Sequence, residues 1–198
     1  MDLTKLAREY AGKIFAGDSG GHDLDHTLRV YRMALNIAEN EGADTEIVGL
    51  AALLHDVDDR KISPETCASL GRARDFLHSH GLSGGSSEKI LRIISQVSYS
   101  GGKVPDSLEG KCVQDADRLD AMGAIGIART FAYGGSKGRR IHDSAGEDKT
   151  TSVQHFYDKL LKLENLMNTE TGQKLARERH IYMEEFLRRF YAEWEGTE

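Results

Sequence analysis

The chain has 198 residues, of which 39% are hydrophobic and 29% are charged, a composition typical of one globular domain with an apolar core. Its 26 Lys and Arg residues against 32 Asp and Glu residues give a formal net charge of -6, which argues against broad nucleic-acid or anionic-membrane binding. The two cysteines, Cys67 and Cys112, form no CxxC pair. Neither a disulfide framework nor a thiolate zinc site is therefore predicted.

The hydropathy pattern predicts a helical protein outside the membrane. No apolar run approaches the roughly 20 residues of a membrane span, and the first residues lack the apolar stretch of a secretory signal, so we expect a cytoplasmic location. Only two prolines occur, and long segments repeat apolar residues at intervals of three and four. This pattern predicts an all-α fold, a compact bundle of about seven to nine helices that forms a single domain over residues 1–198.

In the first half of the chain, helices are predicted from Leu3 to Ile14, from Asp23 to Asn40, and from a cap at Asp44 to His55 and Asp56. The third is apolar on nearly every side from Ile47 to Leu54, as expected for a helix in the middle of the core. Ser63 followed by Pro64 and Glu65 predicts the start of a helix that runs to about Gly81. A fifth helix carries Ile90 to Val97.

In the second half, Leu108 to Phe131 is typical of one long or kinked helix, in which Gly123 and Gly126 lower helix propensity unless close packing requires them. Residues 133–150 contain glycines and basic residues and little to bury, so we expect a mobile loop. Thr151 or Ser152 caps the next helix. The last helix follows Gly172 and is expected to bury several apolar residues, including Tyr182, Phe186 and Trp194.

Four side chains on predicted buried helices are of the types that bind divalent metal ions. Alone, His26 is more typical of a hydrogen-bonded core histidine, and His55 is favoured at a helix C-terminus by the helix dipole. Asp56 does not fit that explanation, because an acid at a helix C-terminus is unfavourable without a cation. A buried Asp117 equally indicates an ion pair or a metal ligand.

Together these residues form an H…HD…D pattern, and the sequence resembles the HD-domain superfamily of metal-dependent phosphohydrolases, in particular its small single-domain bacterial members. The resemblance covers nearly the whole chain. It rests on Gly21 to His26 with Arg29 and Val30, Ala52 to Asp56, Gln114 to Ala121, Gly123 to Ala128, Gln154 to Tyr157 with Lys159 to Leu163, and Met167 to Gly172.

The resemblance implies that His26, His55, Asp56 and Asp117 bind one divalent ion and leave positions for water and a phosphate oxygen. Asp117 is preferred to Asp115 because it directly precedes the Arg-Leu pair of the motif. Two imidazoles and two carboxylates suit Mn, Fe, Co, Ni or Zn better than Mg. A bound ion of this kind activates water and polarises a phosphoryl oxygen.

The remaining polar residues near the HD pair are candidates for proton transfer and phosphate binding. Asp59, three residues after Asp56, is the predicted general acid or base, with Asp58 as the alternative; a solvated helix-end acid is the other interpretation. Phosphate-binding cations are predicted at Lys61 and Arg118. Further candidates, each equally explained as exposed or helix-end residues, are His22, Lys137, Arg139 and Arg140.

We therefore expect a phosphohydrolase that acts on a nucleotide or similar small phosphorylated molecule through metal-activated water. The alternative is an HD-fold module that senses a ligand or binds a partner without turnover. The pattern of residues favours the enzyme, because the metal ligands and Asp59 are all present.

Overall fold

The structure is a computed structural model that describes residues 2–16, 23–60, 62–97 and 102–197. Within these ranges it contains nine α-helices, two short 3-10 helices and no strand, so the prediction of an all-α protein with seven to nine helices is confirmed. The α-helices are α1 (Leu3–Ile14), α2 (Leu24–Glu41), α3 (Thr45–Leu54), α4 (Gly71–Ser79), α5 (Gly85–Val97), α6 (Leu108–Asp120), α7 (Gly123–Ser136), α8 (Ser152–Asp158) and α9 (Glu170–Glu195).

The helices divide into two compact units, Met1–Asp117 and Arg118–Glu198, and the boundary falls within α6. The organisation of the chain as a single domain stays a prediction. None of the helices in the described part of the chain combines the length and the apolar character that a membrane span requires.

In the first unit α3 is the central helix, and α1, α2 and α5 pack against it. All eight residues from Ile47 to Leu54 are buried, as the apolar run predicted. Asp44 caps the helix, since its Oδ1 accepts hydrogen bonds from the backbone N–H groups of Glu46 (3.0 Å) and Ile47 (3.1 Å). This cap fixes where α3 begins, and the HD pair directly follows Leu54, the last buried residue of the helix.

The predicted helix start at Ser63 is wrong, because residues 64–70 form turns and α4 begins at Gly71. The Ser63 hydroxyl donates to the Val57 carbonyl (2.9 Å) instead of capping a helix. The cap of α4 comes from Asp58, whose two carboxylate oxygens accept the N–H groups of Arg72 (3.1 Å) and Ala73 (2.9 Å). A cap so far away in sequence leaves no local signal.

The helix predicted from Leu108 to Phe131 is broken into α6 and α7 at residues 121–122. Gly123 has φ +66°, a left-handed conformation that favours glycine. A Cβ on Gly126 would lie 2.2 Å from the Ala121 carbonyl oxygen, so close packing does require glycine there. The two glycines therefore mark a helix break and not the interior of one helix.

In the second unit the described part of the apolar core includes three aromatic rings, those of Phe131, Phe156 and Phe186, with centroids 5.9 to 6.0 Å apart. Phe186 is half-buried, but Tyr182 (54% exposed) and Trp194 (45% exposed) were expected to be buried and are not. Their positions on α9 continue the apolar pattern onto a face that this unit does not cover.

The segment between α7 and α8 has more internal contacts than its composition indicated. Residues 133–136 belong to α7, and Asp143 accepts hydrogen bonds from the N–H groups of Glu147 and Asp148, both at 2.9 Å. The Trp194 indole donates to Ser144 Oγ (2.8 Å), and the His142 ring lies 5.2 Å from the Trp194 ring. The mobility of residues 133–150 stays a prediction.

Candidate metal centre

His55 is the residue at which α3 ends, and its side chain is 3% exposed. Its Nδ1 lies 2.8 Å from the Ala52 carbonyl oxygen. The carbonyl oxygen accepts a proton from Nδ1, so in the neutral imidazole Nε2 would be the lone-pair donor to a metal ion. Nε2 is buried and has no hydrogen-bond partner of adequate geometry. A buried nitrogen lone pair is costly to leave without a partner, and a metal ion would satisfy it.

His26 lies in the first turn of α2 and is almost fully buried. The helix start is fixed by Asp23, whose Oδ1 accepts the His26 backbone N–H at 2.7 Å. The imidazole rings of His26 and His55 lie 5.5 Å apart between centroids. Two helices that pack on each other therefore bring the two histidines to one place.

Two carboxylates lie beside these imidazoles. Asp56 Oδ2 is 3.2 Å from His55 Nε2 and 3.5 Å from His26 Nε2. Asp117 Oδ1 is 3.5 Å from His26 Nε2 and 4.0 Å from His55 Nε2. One ligand atom from each of His26, His55 and Asp117 lies within 4.8 Å of the other two, and Asp56 lies beside both histidines. The four predicted metal-binding residues thus lie in one cluster.

The two carboxylates of the cluster favour a positive charge at the nearby imidazole nitrogens, which a metal ion would supply in place of a proton. Burial alone would lower the pKa of His55, but the carboxylates of Asp56 and Asp117 outweigh burial and raise this pKa to about 9. The side chains of Asp56 and Asp117 are 14% and 24% exposed, so the carboxylate side of the cluster has access to solvent. Nitrogen and carboxylate donors with solvent access fit a divalent metal ion that also binds water or substrate.

Asp115 is fully buried and lies two residues from Asp117, about 200° away around an α-helix. The preference for Asp117 over Asp115 therefore agrees with the geometry of α6. Gln114, by contrast, is on the same helical face as Asp117 and was not assigned a role from the sequence. A buried polar residue three positions before a predicted ligand was the available signal.

The acids after Asp56 differ in their surroundings. Residues 55–58 form turns beyond α3. The Asp59 N–H donates to the Asp56 carbonyl oxygen (2.9 Å), so the backbones of the two residues are held together in one turn. Asp59 is half-buried, and its proton-transfer role stays a prediction. Both carboxylate oxygens of Asp58 accept backbone hydrogen bonds from α4, so this acid has a structural role that the sequence did not indicate.

Of Lys61, His22 and Arg118, three residues predicted from the sequence to contact substrate, the structure describes only Arg118. Lys61 and His22 lie outside the described residues. Arg118 is 8% exposed, and its Nη1 donates to the Leu166 carbonyl oxygen within the second unit. This bond fixes the guanidinium group, and a role for Arg118 in phosphate binding stays a prediction.

The chain is similar to HD-domain proteins in both sequence and structure. The profile of the HD domain matches residues 23–122. "Uncharacterized protein YpgQ" from Bacillus subtilis is 39% identical over 202 residues, which span 100% of this chain and 97% of that protein. The crystal structure of Bacillus subtilis YpgQ in complex with ADP has a TM-score of 0.83 and 37% identity, covering 98% of this chain and 100% of that chain.

A further similar structure comes from Bacillus thuringiensis. The crystal structure of an HD-superfamily hydrolase from this organism has a TM-score of 0.84 and 43% identity, and the alignment covers 97% of this chain and 96% of that one.

Proposed function

The chain belongs to the HD domain family, as its motifs predicted, and on this premise we propose that it is a metal-dependent phosphohydrolase whose substrate is a nucleotide. The observation that carries the proposal is the cluster of His26, His55, Asp56 and Asp117, in which carboxylate oxygens lie 3.2 to 4.0 Å from the Nε2 atoms of two buried histidines. The nucleotide is supported by the crystal structure of the related YpgQ in complex with ADP.

His26, His55, Asp56 and Asp117 are the residues that would hold the ion. When bound, a divalent ion polarises a phosphoryl oxygen and lowers the pKa of water, which is the usual route to hydrolysis of phosphate esters and anhydrides. The mixed nitrogen and oxygen donors favour Mn, Fe, Co, Ni or Zn over Mg. The Ala52 carbonyl orients His55, because its hydrogen bond to Nδ1 fixes the ring and directs Nε2 into the cluster.

Asp59 is the proposed proton-transfer group. It follows the ligand Asp56 by one turn and is held to it by the backbone hydrogen bond between the two residues. A half-buried carboxylate near the reacting phosphate can accept a proton from water or return one to the leaving group. Lys61 and Arg118 are proposed to neutralise substrate phosphates.

The proposal is tested with protein that is stripped of metal and then loaded separately with Mn, Fe, Co, Ni, Zn or Mg. Release of phosphate and of pyrophosphate is measured for nucleoside mono-, di- and triphosphates with each ion. We expect metal-dependent release from at least one nucleotide and about one ion bound per chain. Nucleotide binding without release under any of these ions would contradict the proposed hydrolysis and indicate a module without turnover.

The role of Asp59 is tested by Asp59→Asn, which we expect to lower kcat by roughly 100-fold to 10,000-fold while the affinity for Mn²⁺ is unchanged. Asp58→Asn is the matched control. It removes the charge of a neighbouring acid whose oxygens cap α4, so we expect lower thermal stability with kcat nearly unchanged. Equal kcat for the Asp59→Asn variant and the wild type would exclude Asp59 as the proton-transfer group.

A further inference from the structure

Gln114 is a fully buried polar residue of α6. Its Nε2 lies within hydrogen-bond distance of three backbone carbonyl oxygens, those of Gln96 (3.2 Å), Val97 (3.3 Å) and Lys103 (2.9 Å). Gln96 and Val97 are the last two residues of α5, where carbonyl groups have no partner within the helix. A single side chain thus joins α6 to the C-terminal end of α5 and to the chain that leads into α6.

Gln114 belongs to a face of α6 that approaches α5 at Gly110 and at Gln114 itself. Gly110, Gln114 and Asp117 are spaced by four and three residues, which places them on one side of the helix. A Cβ on Gly110 would lie 3.5 Å from Ile93 Cγ1 of α5. Beside it, Lys89 of α5 forms an ion pair with Glu109 of α6 at 2.7 Å. Of these α6 residues that contact α5, Gln114 is the one nearest to Asp117 in sequence, three residues before it.

The same helix α5 packs against α3, which ends at His55. The hydrogen bonds of Gln114 therefore connect the helix that carries Asp117 to α5, and through α5 to the helix that ends at the histidine of the HD pair. These bonds are directional, so they fix both the axial position and the rotation of α6 more closely than apolar contact does.

We infer that Gln114 is a positioning residue, which holds α6 so that the Asp117 carboxylate lies beside His26 and His55 in the geometry that binds a metal ion. The inference rests on the proposed function, because it assumes that the four-residue cluster is a metal centre. It adds a residue outside the cluster whose loss loosens one ligand and leaves the other three in place.

A purely structural role for Gln114 is the competing explanation, since its amide also satisfies carbonyl groups that burial would otherwise leave without a donor. Such a role would lower the stability of the protein but would not alter the affinity of the folded protein for a metal ion. Metal affinity measured well below the unfolding temperature therefore separates the two roles.

The experiment uses the full chain, stripped of metal and titrated with Mn²⁺ alone, with free Mn²⁺ followed by electron paramagnetic resonance. We expect Gln114→Met, which removes the amide and keeps a similar volume, to weaken Mn²⁺ binding by about 10-fold to 100-fold. Leu77→Ala, a change of a buried residue in α4, is the control for lost stability and should leave the affinity within twofold. If Gln114→Met does not fold, Gln114→Asn, whose amide is one methylene shorter, gives the same comparison.

A double-mutant cycle with Asp117→Ala tests whether the effect passes through Asp117. Gln114→Met should add little to the loss of Mn²⁺ affinity already caused by Asp117→Ala. An equal loss in both backgrounds, or wild-type affinity in folded Gln114→Met and Gln114→Asn proteins, overturns the inference and leaves the proposed function intact. A wild-type protein that binds no divalent ion overturns the proposed metal centre, and the inference with it.

Discussion

The helices α3 and α6 both supply side chains to the candidate metal centre, but they are held in different ways. From Ile47 to Leu54 α3 is buried on all sides and carries no polar side chain. In the first-unit part of α6 the residues from Cys112 to Ala116 are buried as well, but the contacts of this helix include the ion pair of Glu109 with Lys89 and the hydrogen bonds of Gln114. Apolar packing is non-directional, whereas hydrogen bonds depend on distance and angle.

This difference indicates a division of roles. The apolar helix α3 contributes most to the stability of the first unit, since its burial scales with the apolar area removed from water. The polar contacts of α6 contribute less to stability, because each protein hydrogen bond replaces one with water. Their effect is on the placement of Asp117. The following four predictions test this division.

The largest effect is expected from removing a ligand on either helix. His55→Ala and Asp117→Ala should each weaken Mn²⁺ binding by more than about 100-fold, since a ligand matters more than the outer partners whose loss costs 10-fold to 100-fold. The measurement is titration of metal-free protein with Mn²⁺. His78→Ala, on a predominantly exposed residue of α4, is the control. Unchanged affinity in either ligand variant would contradict the proposed centre.

In α3, Leu50→Ala should lower the free energy of unfolding by roughly 2 to 5 kcal/mol, because it opens a cavity at a fully buried position. The affinity of the folded protein for Mn²⁺ should stay within twofold of the wild type. Denaturant unfolding and Mn²⁺ titration measure the two quantities. Leu166→Ala, at a position 41% exposed, should change the unfolding free energy by less than about 0.5 kcal/mol. A large loss of metal affinity in Leu50→Ala would remove the distinction between the helices.

In α6, Gly110→Ala tests two opposing effects. Alanine gains about 1 kcal/mol of helix propensity, but its Cβ would lie 2.7 Å from Pro105 Cβ, and overpacking costs roughly 1 to 3 kcal/mol. We expect a net loss of stability of about 1 kcal/mol, together with weaker Mn²⁺ binding as α6 moves. Gly135→Ala is the matched control, because a Cβ there meets nothing within 4 Å and should stabilise the protein. Unfolding experiments that show Gly110→Ala to be as stabilising as Gly135→Ala would contradict this packing.

The smallest effect concerns the Cys112 thiol of α6. Burial, followed by the nearby Asp115 carboxylate, raises the pKa of this thiol to about 12, so the reactive thiolate is scarce in the folded protein below that pH. At pH 8 an alkylating reagent should label one thiol of the native chain quickly, that of the half-buried Cys67, and both after unfolding. Mass spectrometry gives the count, and Cys67→Ser should abolish the fast label. Rapid double labelling of native protein would show that the side of α6 that carries Cys112 is open to solvent.

Much of the fold followed from periodicity, because the apolar spacing of α1, α2 and α3 is regular and each start or end has a local signal. Asp44 before α3 and Gly42 after α2 are examples. The start of α4 could not be found in this way, since its cap, Asp58, lies thirteen residues before Gly71. Local signals at Ser63 and Pro64 predicted a different start.

In the candidate site, too, the sequence indicates only what local residue types and the family motif reveal. His26, His55, Asp56 and Asp117 were identifiable because a buried acid or histidine requires a partner, and the family motif indicated which residues those partners were. The different surroundings of Asp58 and Asp59 were not identifiable, because adjacent acids have the same chemistry and only the tertiary fold determines which one accepts backbone hydrogen bonds. Gln114 likewise acquires its role from carbonyl groups eleven to eighteen residues away.

The hydrogen bond between Trp194 and Ser144 makes the end of α9 an optical reporter. Trp194 is the only tryptophan of the chain, and its indole touches both the segment after α7, through Ser144, and the ring of His142. Intrinsic tryptophan emission therefore originates at this one junction. Any detachment of the segment from α9 would break the hydrogen bond of the indole and expose it further to water, which would change the wavelength and the intensity of its emission. The mobility of residues 133–150 can thus be followed in the unlabelled wild-type protein, with and without nucleotide.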